Sequence, residues 1–172
     1  VGFVACAGAD GPMAKGVHSL LEDCQGRLWV GTLQGVSWCE GQGFTALTAA
    51  DGLARGPVLS LLEDREGHLW FATYGGGVSR YEGSRFATFT VADGLANNQV
   101  TALCEDQLGD LWVGTWHGLN RYCKGQFAHF TTREGLRNHT VVSLAEDRRG
   151  HLWFGTLDFG VEQYDGQEFT HY

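Results

Sequence analysis

The sequence has 172 residues, a net charge of -8 and no cluster of Lys or Arg, which favours one domain and excludes nucleic acid and anionic lipid as partners. No run approaches the roughly 20 apolar residues that span a bilayer, so we expect no direct membrane insertion. The start "VGFVACAGADG" has neither a basic n-region nor an initiator Met, which indicates a partial chain. The 26 Gly, 2 Pro and many aromatic residues favour short strands joined by tight turns.

One hairpin is written four times along the chain. "EDCQGRLWVGT" begins at Glu22 and returns as "EDREGHLWFAT", "EDQLGDLWVGT" and "EDRRGHLWFGT". The Trp residues of these segments are 41, 42 and 41 residues apart, at positions 29, 70, 112 and 153. This period is typical of a propeller blade with four strands.

Each repeat contains four predicted strands. In chain order, a "DGL" turn precedes strands such as "VLSLLED", "HLWFAT", "GVSRYEG" and "RFATFT", which are separated by turns that contain Gly. A sheet this small cannot bury both of its faces, whereas several sheets stacked around an axis can. We therefore predict an all-β fold, a β-propeller built of antiparallel four-stranded blades.

The predicted blades occupy residues 9–48, 49–90, 91–131 and 132–172. Residues 1–8 align with a fourth strand and are assigned to the outer strand of a preceding blade. The chain then holds five copies of the fourth strand and four of the others, so it does not close on itself. We favour a segment of a larger propeller, whose partners are the remaining blades of its parent chain. Pairing with another protomer is the second alternative, and a four-bladed ring is the third.

The recurring residues are interpreted as structural. We assign the repeated Trp to packing between blades, and the Asp and Gly of "EDxxG" to the turn between the first two strands. A residue that appears identically in every blade serves the shared fold, so we expect no catalytic residue among them.

The motifs resemble a known family, the two-component regulator propeller repeat. "EDQLGDLWVGTWHGLNRY" and "FATFTVADGLANNQV" fit its pattern "EDxxGxLWxGTxxGLxxY" followed by "FxxFTxxDGLxxN", and the likeness covers nearly the whole chain. It implies a periplasmic or extracellular sensor domain, in propellers of about seven blades, ahead of a membrane span and a signalling output. "DxxGxLW" alone also resembles Asp-box hairpins and streptogramin-inactivating lyases. Ala72, Cys39 and Pro12 depart from the pattern.

We expect neither a metal nor another cofactor. The five Cys residues occupy five different positions of the repeat, and they form no CxxC motif and no CxxC…HxxxH spacing. We interpret them as free thiols. His18, His68, His129, His151 and His171 are assigned to strands or to the surface, without a cluster.

The candidate ligand site lies where the repeat is irregular. The loop between the second and third strands has two residues in the first and third repeats and three in the second and fourth. In a propeller this loop and the "DGL" crossover emerge at the same rim. Aromatic rings beside amides and carboxylates suit a sugar. The candidate residues are Tyr74, Trp116, His117, Asp158, Phe159, Arg55, Asn98 and His139, with Asn97 and Asn138 beside them on the crossovers.

Three functions remain. The sequence favours a sensor segment that binds a small-molecule or carbohydrate ligand. A scaffold that binds other proteins would need a broad apolar patch, for which Trp38, interpreted as an exposed aromatic residue, is the only indication. A lyase would need a His and a carboxylate that converge on a substrate, and only His117 and Asp158 offer such a pair.

Overall fold

The computed structural model describes residues 16–40, 43–137 and 139–172. Its strands form four antiparallel sheets of four strands, and in every sheet the spatial order of the strands is their order in the chain. The strands are β1 (Val17–Glu22), β2 (Leu28–Thr32), β3 (Gly35–Glu40), β4 (Gly43–Leu47), β5 (Val58–Glu63), β6 (Leu69–Thr73), β7 (Gly77–Tyr81), β8 (Phe86–Phe89), β9 (Val100–Glu105), β10 (Leu111–Thr115), β11 (Gly118–Cys123), β12 (Gln126–Phe130), β13 (Val141–Glu146), β14 (Leu152–Thr156), β15 (Gly160–Tyr164) and β16 (Phe169–His171).

The predicted fold class is confirmed, since the described strands form four antiparallel four-stranded sheets. We call β1–β4 blade 1, β5–β8 blade 2, β9–β12 blade 3 and β13–β16 blade 4. Each sheet lies within one of the four predicted residue ranges. The predicted outer strand of residues 1–8 lies outside the described residues. No helix in the described part of the chain is long and apolar enough to cross a membrane.

The direction of the strands gives the blades two different rims. The first strands β1, β5, β9 and β13 lie side by side in order, so they form the inner side of the stack. The first strand of each blade runs toward the "EDxxG" turn, and the second strand returns. We call the end with the "EDxxG" turns the turn rim. The opposite end carries the loops between second and third strands and the crossovers between blades, and we call it the crossover rim.

The "EDxxG" turn is closed by its Asp in every blade. In blade 1, Oδ1 of Asp23 accepts hydrogen bonds from the backbone amides of Gln25 and Arg27 at 3.0 and 2.9 Å. Oδ2 of Asp23 accepts the indole N–H of Trp29 at 2.7 Å. The same indole bond recurs in blades 2, 3 and 4 at 2.7, 2.8 and 3.0 Å. The constant spacing of six residues therefore reflects one carboxylate that joins the turn to the core.

The Glu of "EDxxG" joins neighbouring blades. The carboxylate of Glu63 in blade 2 accepts the backbone N–H of Cys24 in blade 1 at 2.7 Å. Glu105 and Glu146 accept the equivalent amides of the blades before them, with N–O distances of 3.2 and 3.0 Å. Every junction between described blades therefore has the same hydrogen bond on the turn rim, which satisfies one backbone donor in the turns of blades 1, 2 and 3.

The apolar core lies between blades and not within one sheet. One buried cluster joins blades 1 and 2 around Trp29, Val58 and Phe71. Two further clusters join blades 2 and 3 and blades 3 and 4 around Trp70 and Trp112. The predicted role of the repeated Trp in packing between blades agrees with this arrangement. Ala72, which replaces the usual Gly, is completely buried in the second cluster.

Each crossover is a short capped turn that ends in a buried Leu. The backbone N–H of Thr48 donates to Asp51 at 2.8 Å, and the hydroxyl of Thr48 caps the 3-10 turn Ala49–Asp51. The turn Val91–Asp93 is capped in the same way by Thr90. The following Leu53 is only 3% exposed, as are its counterparts in the next two crossovers. The "DGL" motif thus fixes where the chain enters the next blade.

Candidate functional site

The candidate residues lie on loops that the backbone constrains tightly. Thr73 donates its hydroxyl to the carbonyl of Gly77 at 2.7 Å, and the other three blades have the same bond. Gly77 has a φ of +87°, and a Cβ at this position would lie 2.2 Å from the carbonyl oxygen of Phe89. The loop ends are therefore fixed, and the residues between them differ from blade to blade.

Tyr74 and Trp116 form an aromatic pair across the junction of blades 2 and 3. Their ring centroids are 5.7 Å apart with an interplanar angle of 78°, an edge-to-face arrangement. Trp116 is 38% exposed, whereas Tyr74 is half-buried. The backbone N–H of Trp116 donates to the carbonyl of Gln99 at 3.1 Å, which holds the loop against the crossover. The structure thus brings together two of the predicted residues and presents an indole to solvent.

His117 and His139 meet at the junction of blades 3 and 4. Their ring centroids are 6.4 Å apart. Nδ2 of Asn97 lies 2.8 Å from Nδ1 of His117, so the amide orients this imidazole. The carbonyl of His139 accepts the backbone N–H of Gly118 at 2.5 Å. Both imidazoles are exposed on the crossover rim. Asn138, the predicted neighbour of His139, lies outside the described residues.

A groove of about 590 Å³ connects the two histidines with the outer strand of blade 3. It also includes His129, whose Nδ1 lies 3.0 Å from Oδ1 of Asn120. His129, which was predicted to lie on a strand without a cluster, does lie on a strand, but its imidazole reaches the groove. The lining is completed by Leu95, Ala96, Thr131, Thr132, Arg133 and Glu134.

The groove carries both signs of charge. The carboxylate of Glu134 accepts the backbone N–H and the hydroxyl of Thr131, each at 2.7 Å. These bonds favour the ionised form and hold the pKa of Glu134 below its ordinary value. Arg133 contributes a permanent positive charge beside it. Imidazole, hydroxyl, carboxylate and guanidinium groups together can donate and accept hydrogen bonds to a polyhydroxylated ligand.

The remaining predicted residues are more dispersed. Phe159 is 49% exposed, and the guanidinium carbon of Arg137 lies 5.8 Å from its ring centroid. Asp158 and Arg55 are exposed on their loops. In the described residues, no hydrogen bond or ion pair joins Asp158 to His117, the pair that a lyase would need.

Asn98 has a structural contact that the sequence analysis did not anticipate. Its Oδ1 accepts the backbone N–H of Val91 at 2.9 Å, which ties the crossover to the preceding 3-10 turn. Its carbonyl accepts the amides of Gly75 and Gly77 at 3.0 and 2.9 Å. Asn98 therefore stabilises the loops of the crossover rim, and its half-buried side chain already accepts a hydrogen bond.

The interpretation of Trp38 as an exposed aromatic residue is wrong. Trp38 lies directly opposite Trp29 in the register of β2 and β3, and the two ring centroids are 6.0 Å apart. The guanidinium of Arg27 covers it at 5.3 Å. The side chain is half-buried against the core between blades 1 and 2. Trp38, at a position of the third strand where the other blades carry polar residues, therefore packs against the core, and it gives no indication of a partner surface.

The thiols and potential metal ligands form no centre in the described residues. Cys24, Cys39, Cys104 and Cys123 form no disulfide, and Cys6 lies outside the described part of the chain. Burial raises the pKa of the Cys104 thiol. No group of three or more His, Cys, Asp or Glu in residues 16–40, 43–137 and 139–172 is arranged to hold a metal ion.

Four radial sheets joined by identical junctions, with variable loops on one rim, define a β-propeller repeat protein. Residues 52–75, 94–117 and 135–158 match the family described as two component regulator propeller. These three segments are two component regulator propeller repeats. No curated protein matches the sequence.

Solved structures of extracellular domains have the same arrangement. One similar structure is the extracellular domain of a protein described as a hybrid two component system from B. thetaiotaomicron, with 26% identity and a TM-score of 0.81 over 91% of this chain. A second, described as a one component system from the same organism, has 22% identity and a TM-score of 0.79, also over 91% of this chain. The chain spans about a quarter of these structures, 23% and 25% of their lengths.

The fold is also shared with an enzyme. Virginiamycin B lyase from Staphylococcus aureus has 16% identity and a TM-score of 0.73, over 92% of this chain and 55% of the lyase. At this level of identity the likeness concerns the fold alone, because unrelated functions occur on one propeller scaffold.

Proposed function

We propose that this chain is a ligand-sensing propeller segment of a bacterial two-component signalling sensor, located in the periplasm or outside the cell. The family of its repeats and the extracellular sensor domains that share its structure support this proposal. Further blades complete its propeller, contributed by the parent chain or by another protomer.

The ligand is a glycan or another small polar molecule that binds on the crossover rim of blades 2 to 4. The observation that carries this proposal is the pair of Tyr74 and Trp116, which offers an exposed indole beside the polar groove of His117 and His139. Aromatic faces stack on the apolar faces of sugars, while the polar groups bind their hydroxyls. Asp158, Phe159 and Arg55 lie further along the same rim.

A test uses a single substitution that introduces the residue found at the same loop position in another blade. Blades 1 and 4 carry Leu33 and Leu157 at the position of Trp116. Trp116→Leu therefore removes the indole and keeps a residue that the loop accepts. In the parent sensor, we expect this variant to weaken the ligand response by about 1 to 3 kcal/mol, the scale of a lost aromatic platform and its burial.

The matched control is Leu157→Ala, which changes the same loop position in blade 4, where the side chain is 58% exposed. It should leave the response unchanged. Screening the parent sensor against a panel of oligosaccharides, with reporter output as the measurement, gives the ligand class. If the Trp116→Leu sensor responds normally to every active oligosaccharide, the proposed binding site on the crossover rim is wrong.

The lyase alternative is tested by incubating the chain with the same oligosaccharides and analysing the products. We expect the oligosaccharides to be recovered intact. Cleavage that is lost in His117→Ala would establish an enzyme in place of a sensor.

A further inference from the structure

Each blade has one pair of side chains next to its core Trp on the turn rim, and the pair differs from blade to blade. The first member precedes the "LW" of the second strand, and the second member lies on the third strand opposite the Trp. The pairs are Arg27 with Trp38, His68 with Arg80, Asp110 with Arg121, and His151 with Gln163. Because the backbone is the same in all four blades, the pairs can be compared directly.

Three of the four pairs are complementary. Arg27 stacks on Trp38 at 5.3 Å, and the amide of Gln163 lies 2.9 Å from the imidazole of His151. In blade 3, both Nε and Nη2 of Arg121 donate to Oδ2 of Asp110. Each side chain of these pairs therefore finds its partner within its own blade.

The pair of blade 2 combines two groups that cannot neutralise each other. His68 turns to Asp64, with 3.1 Å between Nδ1 and Oδ2. Nη2 of Arg80 donates to Glu82 at 2.6 Å, and Glu82 also accepts Nε of Arg85 at 2.8 Å. One carboxylate thus serves two guanidinium groups. Nε of Arg80 is buried and has no hydrogen-bond partner among the residues that the structure describes.

Arg80 lines a cavity of about 390 Å³ between blades 2 and 3 on the turn rim. Lys124 and Arg65 bring two more positive charges to the cavity wall. Two of the three acidic residues of the wall are already hydrogen-bonded, since Asp64 accepts the indole of Trp70 and Glu105 accepts the amide of Arg65. The third, Glu66, has a side chain that is 81% exposed to solvent. The donors of Arg80 and Lys124 therefore have capacity to bind a further acceptor.

The same cavity has an apolar part. Leu108, at the tip of the "EDxxG" turn of blade 3, is 80% exposed, the largest fraction among the exposed apolar residues of the described chain. The other blades carry Gln25, Glu66 and Arg149 at this position. Leu108 and the ring of Tyr122 both contribute to the wall. An exposed Leu beside cationic groups with unused hydrogen-bond donors indicates a ligand with an apolar body and a negative charge.

We propose that the cleft between blades 2 and 3 on the turn rim binds a small organic carboxylate with an apolar side group. The carboxylate binds the guanidinium of Arg80 and the ammonium of Lys124, and the apolar group covers Leu108. The ligand carboxylate takes the part that Asp110 plays for Arg121 in blade 3. The equivalent cleft between blades 3 and 4 includes Arg121, whose Nε is already bonded, so it lacks this capacity.

The experiment titrates the whole 172-residue chain, labelled with ¹⁵N, with N-acetyl-leucine and follows the arginine Nε–H signals by NMR. We expect the Arg80 signal to shift and saturate while the Arg121 signal stays in place. N-acetyl-leucinamide, which has the same apolar body without the charge, and acetate, which has the charge alone, should each bind at least tenfold more weakly. Absence of saturable binding by N-acetyl-leucine, or equal binding of the amide, would overturn the proposal.

Two variants test the pairing rule without disturbing the fold, because each installs a pair like that of a sister blade. Arg80→Gln gives blade 2 the His and Gln of blade 4, and His68→Asp gives it the Asp and Arg of blade 3. Both should weaken binding at least tenfold. If Arg80→Gln and His68→Asp bind like the unmodified chain, the cleft does not recognise the carboxylate through Arg80.

Discussion

The turn rim and the crossover rim are built from the same four sheets but use their residues in opposite ways. On the turn rim, an Asp holds the indole in every blade, and a Glu of blades 2, 3 and 4 reaches the preceding blade. On the crossover rim, the loop residues change from Leu33 to Tyr74 and Trp116, while the Thr and the Gly that anchor the two ends of the loop are kept. The comparison shows that repeated side chains build the propeller and that singular side chains are available for recognition.

The largest loss of stability is expected when a repeated Trp of the turn rim is removed. Trp70→Ala and Trp112→Ala should each lower the free energy of unfolding by about 3 to 5 kcal/mol, because each deletes a large buried ring and leaves its Asp without the indole donor. Urea denaturation followed by circular dichroism measures the loss. Trp153, which is only half-buried, is the matched control and should show a smaller loss. Losses below about 0.5 kcal/mol at Trp70 would contradict the assigned packing role.

A second test weakens one junction between blades. Glu63→Ala removes the acceptor of the Cys24 amide and should cost about 1 to 2 kcal/mol of unfolding free energy, the scale of a hydrogen bond to a charged group. Glu63→Gln keeps an acceptor oxygen and should recover part of the loss. Glu66→Ala, on the exposed tip of the same turn, is expected to stay within about 0.5 kcal/mol of the unmodified chain. Equal effects of Glu63→Ala and Glu66→Ala would mean that the junction bond contributes nothing.

A third test uses pH to sharpen the role of the turn carboxylates. Hydrogen bonds from the indole of Trp153 and from the amide of His151 lower the pKa of Asp147 from 3.8 to about 2. Since the pKa is lower in the folded state, this contribution to stability is present above about pH 4 and is lost as the pH falls toward 2. The urea midpoint of Asp147→Asn, measured between pH 2 and pH 6, should therefore depend less on pH than that of the unmodified chain. Parallel profiles would show that the indole bond is not coupled to ionisation.

The smallest effect on folding is expected on the crossover rim. Trp116→Leu should change the free energy of unfolding by no more than about 0.5 kcal/mol, because the ring is 38% exposed and Leu occupies the same position in two sister blades. Thermal melting of the unmodified chain and the variant in parallel checks this expectation. A melting temperature several degrees lower would make Trp116 a packing residue and would remove the contrast between the two rims.

The sequence predicted the elements well because each of them has a local signal. The predicted strands "VLSLLED", "HLWFAT", "GVSRYEG" and "RFATFT" contain β5, β6, β7 and β8, and the variable loops emerge on one rim. The signals are alternating apolar residues and Gly at the turns, and both act within a few residues. The irregular loop lengths also located Tyr74 and Trp116, whose rings meet across blades.

Contacts between different blades could not be predicted from these local signals. The sequence does not show that Glu63 reaches an amide 39 residues away, or that His129 joins a groove with His117 and His139. The prediction for Trp38 was wrong because the core that buries it includes residues of blade 2, which are distant in the sequence. A signal for the Glu was present, since it accompanies the Asp in every copy, but its hydrogen-bond partner depends on where the preceding blade lies.

The Glu that each blade extends to the one before it has a consequence for how such a chain can evolve. Because every junction between described blades uses the same donor and the same acceptor, a duplicated blade inserted between two others finds a matching surface on each side. Gene duplication can therefore change the copy number of blades without new compensating substitutions. Each new copy then brings a new loop to the crossover rim, on which mutation can act while the inherited junctions keep neighbouring blades joined.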